Sequence, residues 1–278
     1  MARIESLSVF LESEGKDFLA EEYGKVIENI SKGTISGVLK NKDLSGTPSA
    51  GSVEAKRFVN AESKEYGTAR SANKGEKVKA KPVTIAINVD KEIVEEIEEK
   101  DVLLYGVDSV VARRIANHGK SMTRELERAF FVEAFNAGTA LNTDKTAINE
   151  KIEALIQQIE TTKNDFVDGV DRDMIAITCD TATYGELRNF LDKDANNSNV
   201  STGEAEFGRF HGVRIYPSVY LPSGAKAIGM VDGSVAQPVV PTIANPQKIQ
   251  LSNAVGFGVF FSYGTKAVMP DLIVKVGA

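Results

Sequence analysis

The chain has 278 residues, 42% hydrophobic and 26% charged, a balance that allows a substantial core and excludes wholesale disorder. Its 39 acidic and 33 basic side chains give a formal net charge of −6, which excludes the strongly basic composition of a dedicated nucleic-acid-binding domain. The single cysteine, Cys179, rules out an intrachain disulfide framework and reads as a small buried apolar residue.

The amino terminus lacks the long apolar core of an export signal, and no stretch is long and apolar enough to span a membrane. Leu7, Phe10, Leu11, Phe18, Leu19, Val26, Ile27 and Ile30 recur at helical spacing and predict an amphipathic helix that packs on protein. Residues 31–52, rich in Gly, Ser, Thr and Lys, predict an extended arm with little capacity to join a core. Residues 53–60 and 77–90 predict the limbs of a long hairpin, with Val83, Ile85, Ile87 and Val89 alternating in strict period two. The stretch between them, Glu62 to Glu76, is too hydrophilic to bury itself on its own subunit and is expected to project toward a partner.

Residues 91–100 predict a short acidic helix with Ile93, Val94 and Ile97 on one side, its glutamates forming a solvated face rather than a metal site. Asp108 and Ser109 then mark the start of a long helix running to about Asn136, with Val111, Ile115, His118, Met122, Leu126 and Phe130 on one stripe and Gly138 as its stop. A second helix is predicted over 147–160, a strand over 174–178, and a short helix capped by Thr181. The loop 192–207 is poor in apolar residues, and strands are expected at 212–217, 227–231, 247–251, 255–263 and 267–276. The class is α+β.

No GxSxG, HExxH, P-loop or GxGxxG string occurs, and the two histidines, His118 and His211, stand far apart and read as structural residues. Neither a catalytic, a cofactor-binding nor a metal-binding residue emerges, so a soluble α+β enzyme is the weaker reading.

The order of arm, hairpin, long helix, α/β lobe and returning strands resembles the HK97-fold major capsid proteins of tailed bacteriophages. The strings that carry the resemblance are GSVEAKRF (51–58), YGTARSANKGE (66–76), VTIAINVDKEIVEEIE (83–98), the segment 108–137 and RFHGVRIYPSVYLP (209–222). It implies an N-terminal arm region (1–52), an E-loop (53–81), a P-domain with a spine helix (82–146 and 246–278) and an A-domain (147–245). It further implies that E-loop residues Arg57, Lys64, Tyr66, Arg70 and Lys74 lie across a neighbouring subunit, where Glu125, Glu127 and Glu133 of the spine helix answer their charges. Asn196, Asn197 and Asn199 would line the capsomer centre.

The implied function is self-assembly, through pentamers and hexamers, into an icosahedral head shell around double-stranded DNA. The DNA would be held by non-specific contact, and the shell would form in the host cytoplasm with a portal protein. Some relatives carry an extra N-terminal scaffolding block removed by a protease. None precedes the arm here, so a separate scaffolding protein is expected. The covalent lysine–asparagine link of some members is not carried over, because the E-loop lysines read as ordinary solvated side chains. An encapsulin-like nanocompartment shell is the alternative within the same fold.

Overall fold

A computed structural model describes residues 7–72, 74–102, 106–192 and 208–277. A 3-10 turn, Leu7–Leu11, leads into helix α1, Ser13–Gly33, which buries Leu19 and Tyr23. Helix α2, Ile35–Leu39, follows at once, and the Thr34 hydroxyl caps it by accepting from the Gly37 amide. The arm expected over 31–52 thus contains a helical turn, and its Leu39 is fully buried in a cluster with Phe130, Ile228 and Met230. So short a helix is unstable alone; packing on the body supplies what local propensity lacks.

Strand β1, Ser52–Phe58, the short helix α3, Thr68–Ala72, and strand β2, Ala80–Ala86, make up the hairpin. The alternating run that predicted one strand through Asp90 breaks after Ala86, and strand β3, Val89–Ile97, begins a different sheet. β3 replaces the expected acidic helix. Its Ile93, Glu95 and Ile97 are at least partly buried while Glu92, Val94 and Glu96 are exposed, a period-two pattern fixed by pairing along its whole length with a distant strand.

The short helix α4, Glu99–Val102, precedes the 31-residue helix α5, Val107–Ala137, about 46 Å long at 1.5 Å per residue. Gly106, in a positive-φ conformation, occupies its N-cap, so Asp108 and Ser109 lie inside the helix rather than capping it. At the far end Gly138 is required for space: a Cβ there would sit 2.9 Å from Ala134 O and from Ile273 Cγ2. Strand β4, Thr139–Ala140, helix α6, Ile148–Glu160, strands β5, Lys163–Asn164, and β6, Val167–Asp168, and strand β7, Ile175–Cys179, come next. Helix α7, Thr181–Asp192, is capped by Asp180, whose carboxylate accepts from the Thr183 amide, and not by Thr181.

The remaining strands are β8, Arg209–Phe210, β9, Val213–Pro217, β10, Ala225–Val231, β11, Val235–Ala236, β12, Val239–Lys248, β13, Val255–Tyr263, β14, Lys266–Ala267, and β15, Ile273–Gly277. Of the strand expected over 247–251 only Gln247 and Lys248 are strand, as the end of β12, and residues 249–251 turn away from it; the strand expected over 267–276 is interrupted by a 3-10 turn at Pro270–Leu272.

Two sheets organise the body: a three-stranded antiparallel sheet ordered β12-β13-β3, and a six-stranded mixed sheet ordered β4-β15-β10-β7-β9-β8. The C-terminal strand, within the span 246–278 expected for the P-domain, pairs inside the larger sheet, and β12, most of which lies within the span 147–245 expected for the A-domain, joins the smaller one. Cys179 is buried on β7, every residue of which is buried. One face of β7 packs with α6 and α7 through Ile175 and Ile177, and Ala176 on the other face packs with α5. α5 reaches both sheets. Val111 and Ile115 pack with Phe257 and Val259 of the small sheet, and Phe130 and Phe131 pack with Ile228 and Ile273 of the large one.

Two glycines test this packing in opposite directions. A Cβ on Gly264 would overlap the Ala86 carbonyl, backbone that cannot swing aside, whereas one on Gly24 of α1 meets nothing within 4 Å. Gly264→Ala is expected to destabilise the subunit by about 3 kcal/mol and Gly24→Ala to stabilise it by about 1 kcal/mol. Urea midpoints of the unassembled subunit measure both.

Candidate assembly interface

The hairpin has two characters. At its root β1 and β2 pair from Ser52↔Ala86 to Phe58↔Ala80, and Val53, Ala55 and Ile85 bury one face against Ala236 and Val268. From Phe58 to Pro82 every described residue except Gly67 is exposed. Tyr66 is 99% exposed and Val78 84%, and Phe58 is open as well. Arg70 and Lys74 face solvent, and Lys64 pairs with Glu76 across the loop. The hydrogen bonds within 61–79 are local ones, such as Thr68 to Glu65 and Ser71 to Gly67.

Arg57 sits where root becomes loop, and it is committed to its own subunit. Its guanidinium donates to both Asp271 oxygens at 2.5 and 2.6 Å, the Asn164 amide donates to the same carboxylate at 2.6 Å, and the Phe166 ring lies 4.4 Å beneath the Arg57 charge. The Asn60 amide donates to Asp165 O. Burial pushes the Asp271 carboxyl upward, but the hydrogen bonds from Arg57 and Asn164 outweigh it and hold the group below its ordinary value. Sequence reasoning missed Asn164, Phe166 and Asp271, because nothing local marks a pairing across 214 positions.

The three spine carboxylates are also engaged within the subunit. Glu125 accepts from the Tyr263 hydroxyl and pairs with Lys91, and Glu133 accepts from the Ala267 amide. Glu127 is buried and accepts from both the amide and the hydroxyl of Ser36 at the start of α2. The face that α5 turns outward carries Arg113, Lys120, Arg124 and Arg128 instead, so its charge has the same sign as the E-loop's basic residues. Asn196, Asn197 and Asn199 lie outside the described residues.

His118 is buried on α5 and stacks on Phe257. Its Nδ1 meets the Tyr23 hydroxyl of α1 at 2.7 Å, and its Nε2 lies 3.0 Å from Glu95 of β3, which Arg114 also grips. This group joins three elements. Burial pushes the imidazole below its ordinary value despite Glu95. Among the described residues no group of His, Cys, Asp and Glu could hold a metal ion, and no helix is long and apolar enough to cross a membrane.

Set against known structures, the architecture defines a class: shell subunits of the HK97-like fold. The chain superposes on the capsid structure of cyanophage P-SCSP1u with TM-score 0.62 at 12% identity, covering 88% of each chain. It matches the mature capsid of bacteriophage PhiM1 with TM-score 0.57 at 16% identity, covering 82% of each. A virus-like particle from Pyrococcus furiosus shares the fold with TM-score 0.57 at 11% identity, covering 92% of this chain and 97% of that one. No curated protein matches. Residues 85–276 match the family model for phage capsid protein, well over half of the sequence. The chain belongs to the phage capsid protein family, and it is a major capsid shell protein.

The buried Glu127 gives a pH signature. Burial, opposed by the Ser36 hydrogen bonds, raises its carboxyl above the ordinary value of 4.5. A raised folded-state value means that the folded chain holds the proton more tightly than the unfolded chain, so this stabilisation is complete at low pH and fades as pH climbs from 4.5 through the raised value. Glu127→Gln, which keeps an acceptor for Ser36, is expected to gain stability relative to wild type as pH rises from 5 to 8. Glu127→Ala strands the Ser36 donors and is expected to lose about 2 kcal/mol. Urea unfolding of the unassembled subunit across that pH range checks both.

Proposed function

We propose that this capsid protein builds an icosahedral head shell from pentamers and hexamers, enclosing double-stranded DNA, with its E-loop lying across the adjacent subunit. The observation that carries the reading is the projecting ribbon from Phe58 to Pro82, solvated on all sides and rooted by Arg57. A two-stranded ribbon is marginal in water, and Tyr66 and Val78 are almost wholly exposed while Phe58 is about half exposed. A neighbour supplies cover and offsets the ordering entropy.

Charge favours one landing surface. The far face of β3 carries exposed Asp90, Glu92 and Glu96 around Val94, which suits Arg70 and Lys74 better than the basic outer face of α5. Exposed ion pairs contribute little each, so they set register while apolar contact supplies affinity. Assembly in the host cytoplasm with a separate scaffolding protein and a portal at one vertex completes the proposal. Closure follows from many repeated weak contacts, each new one forming at high effective concentration.

Deleting Glu62 to Glu76 is expected to leave a folded subunit, with unchanged circular dichroism and melting, that assembles into few particles. Negative-stain imaging of expressed protein provides the count, and wild-type yield from the shortened chain sinks the E-loop assignment.

A further inference from the structure

The geometry points to the outward face of α5 as a contact for the phosphate backbone of double-stranded nucleic acid, made by Lys120, Arg124 and Arg128 and extended by Arg113. This rests on the capsid reading for the identity of the enclosed polyanion, but the surface stands on its own observations. Arg113, Asn117, Lys120, Arg124 and Arg128 are all exposed. At 3.6 residues per turn these positions fall within an arc of about 80° and a length of about 22 Å.

Between Lys120 and Arg128 the helix's own carboxylates turn away from this line. Of the acidic residues on the same stretch of helix, Glu125 is turned to Tyr263 and Lys91, and Glu127 is buried beneath Ser36. The lobe is polarised from one side to the other. Odd-numbered Glu95 of β3 faces α5 and meets Arg114 and His118, so the even-numbered Asp90, Glu92 and Glu96 face away from the helix. A chain of net charge −6 therefore presents a basic stripe along the outer face of α5 and an acidic patch on the far face of β3.

Nucleic acid fits the stripe better than a protein partner does. Between Arg113 and Arg128 the exposed positions are these four cations, Ala116 and Asn117, so on the helix itself only Ala116 offers apolar surface to a protein partner. A straight line of cations matches a linear polyanion that carries one charge per roughly 1.7 Å of axis. Guanidinium groups form paired hydrogen bonds with phosphate oxygens. Such contacts carry no sequence preference, as suits a shell around an arbitrary genome.

The test is the triple variant Lys120→Gln, Arg124→Gln, Arg128→Gln beside wild type and Lys120→Arg. Fluorescence anisotropy with a short labelled DNA duplex is read across salt concentrations, and particles are counted by negative stain. Removing three phosphate contacts is expected to flatten the slope of log affinity against log salt by about 2.7, so that wild type loses roughly forty-fold more affinity than the variant between 50 and 200 mM salt. Lys120→Arg is expected to keep the wild-type slope. A flattened slope supports the inference whether or not the variant forms particles. An unchanged slope overturns it, and if particle yield then falls, the stripe is a contact between subunits. Failure of wild type to form particles would count against the shell reading while leaving the slope comparison intact.

Discussion

The structure depends on a single rod being packed into two sheets at once. Val111 and Ile115 lock the first half of α5 onto the small sheet, Met122 and Leu126 carry the contact along to Phe261 and Tyr263, and Phe130, Phe131 and Ala134 lock its last turns under the large sheet. Because close-packed interiors tolerate little change in volume, neither lobe can rotate about the rod without opening a cavity. A subunit that must repeat the same geometry in many copies needs such a rigid reference, and a helix spanning both cores provides it.

Polar groups fix what the apolar seam leaves free. Apolar ridges alone allow a helix to slide by a turn at modest cost, whereas a buried hydrogen bond is satisfied in one register only. The Tyr23–His118 hydrogen bond sets α1 against α5, and Glu127 sets α2 by receiving the Ser36 donors. Close approach of α1 to α5 needs Gly119 as well, where a Cβ would stand 2.5 Å from Val26 Cγ1. The N-terminal segment is thus part of the body as far as Leu39, and Asn41 continues the attachment through Val235 and Gly233.

Legibility in the sequence followed the range of the interaction. α5, α6 and β13 were readable because their apolar spacing is local, and the exposure of the stretch from Glu62 to Glu76 was readable because no arrangement of its side chains could bury it. β3 was not: Ile93, Val94 and Ile97 fit a helical face as well as a strand, and only pairing with β13 decides between them. The clamp on Arg57 joins residues 214 positions apart and leaves no local trace. The roles of Glu125, Glu127 and Glu133 were obscured for another reason. Charged residues on a long helix read as solvent-facing by default, yet all three accept hydrogen bonds from their own subunit. The basic stripe lies at intervals of seven, four and four, but the interleaved glutamates mask it until burial shows which side chains share a face.

Where the molecule leaves itself unfinished is as informative as where it is packed. The hairpin is tied to the body at Arg57 by Asp271, Asn164 and Phe166 and at Asn60 by Asp165, whereas the described hydrogen bonds of residues 61–79 stay within the hairpin. The root therefore fixes the direction of the ribbon while the loop keeps the freedom to adapt to what it lands on. Had the loop been held as firmly as the root, each position in a curved shell would demand its own strained variant of the subunit. Had the root been as free as the loop, the entropy lost on docking would offset the modest gain from each contact. In the proposed shell, dividing the two roles at this root would let a single sequence serve neighbours that meet it at slightly different angles.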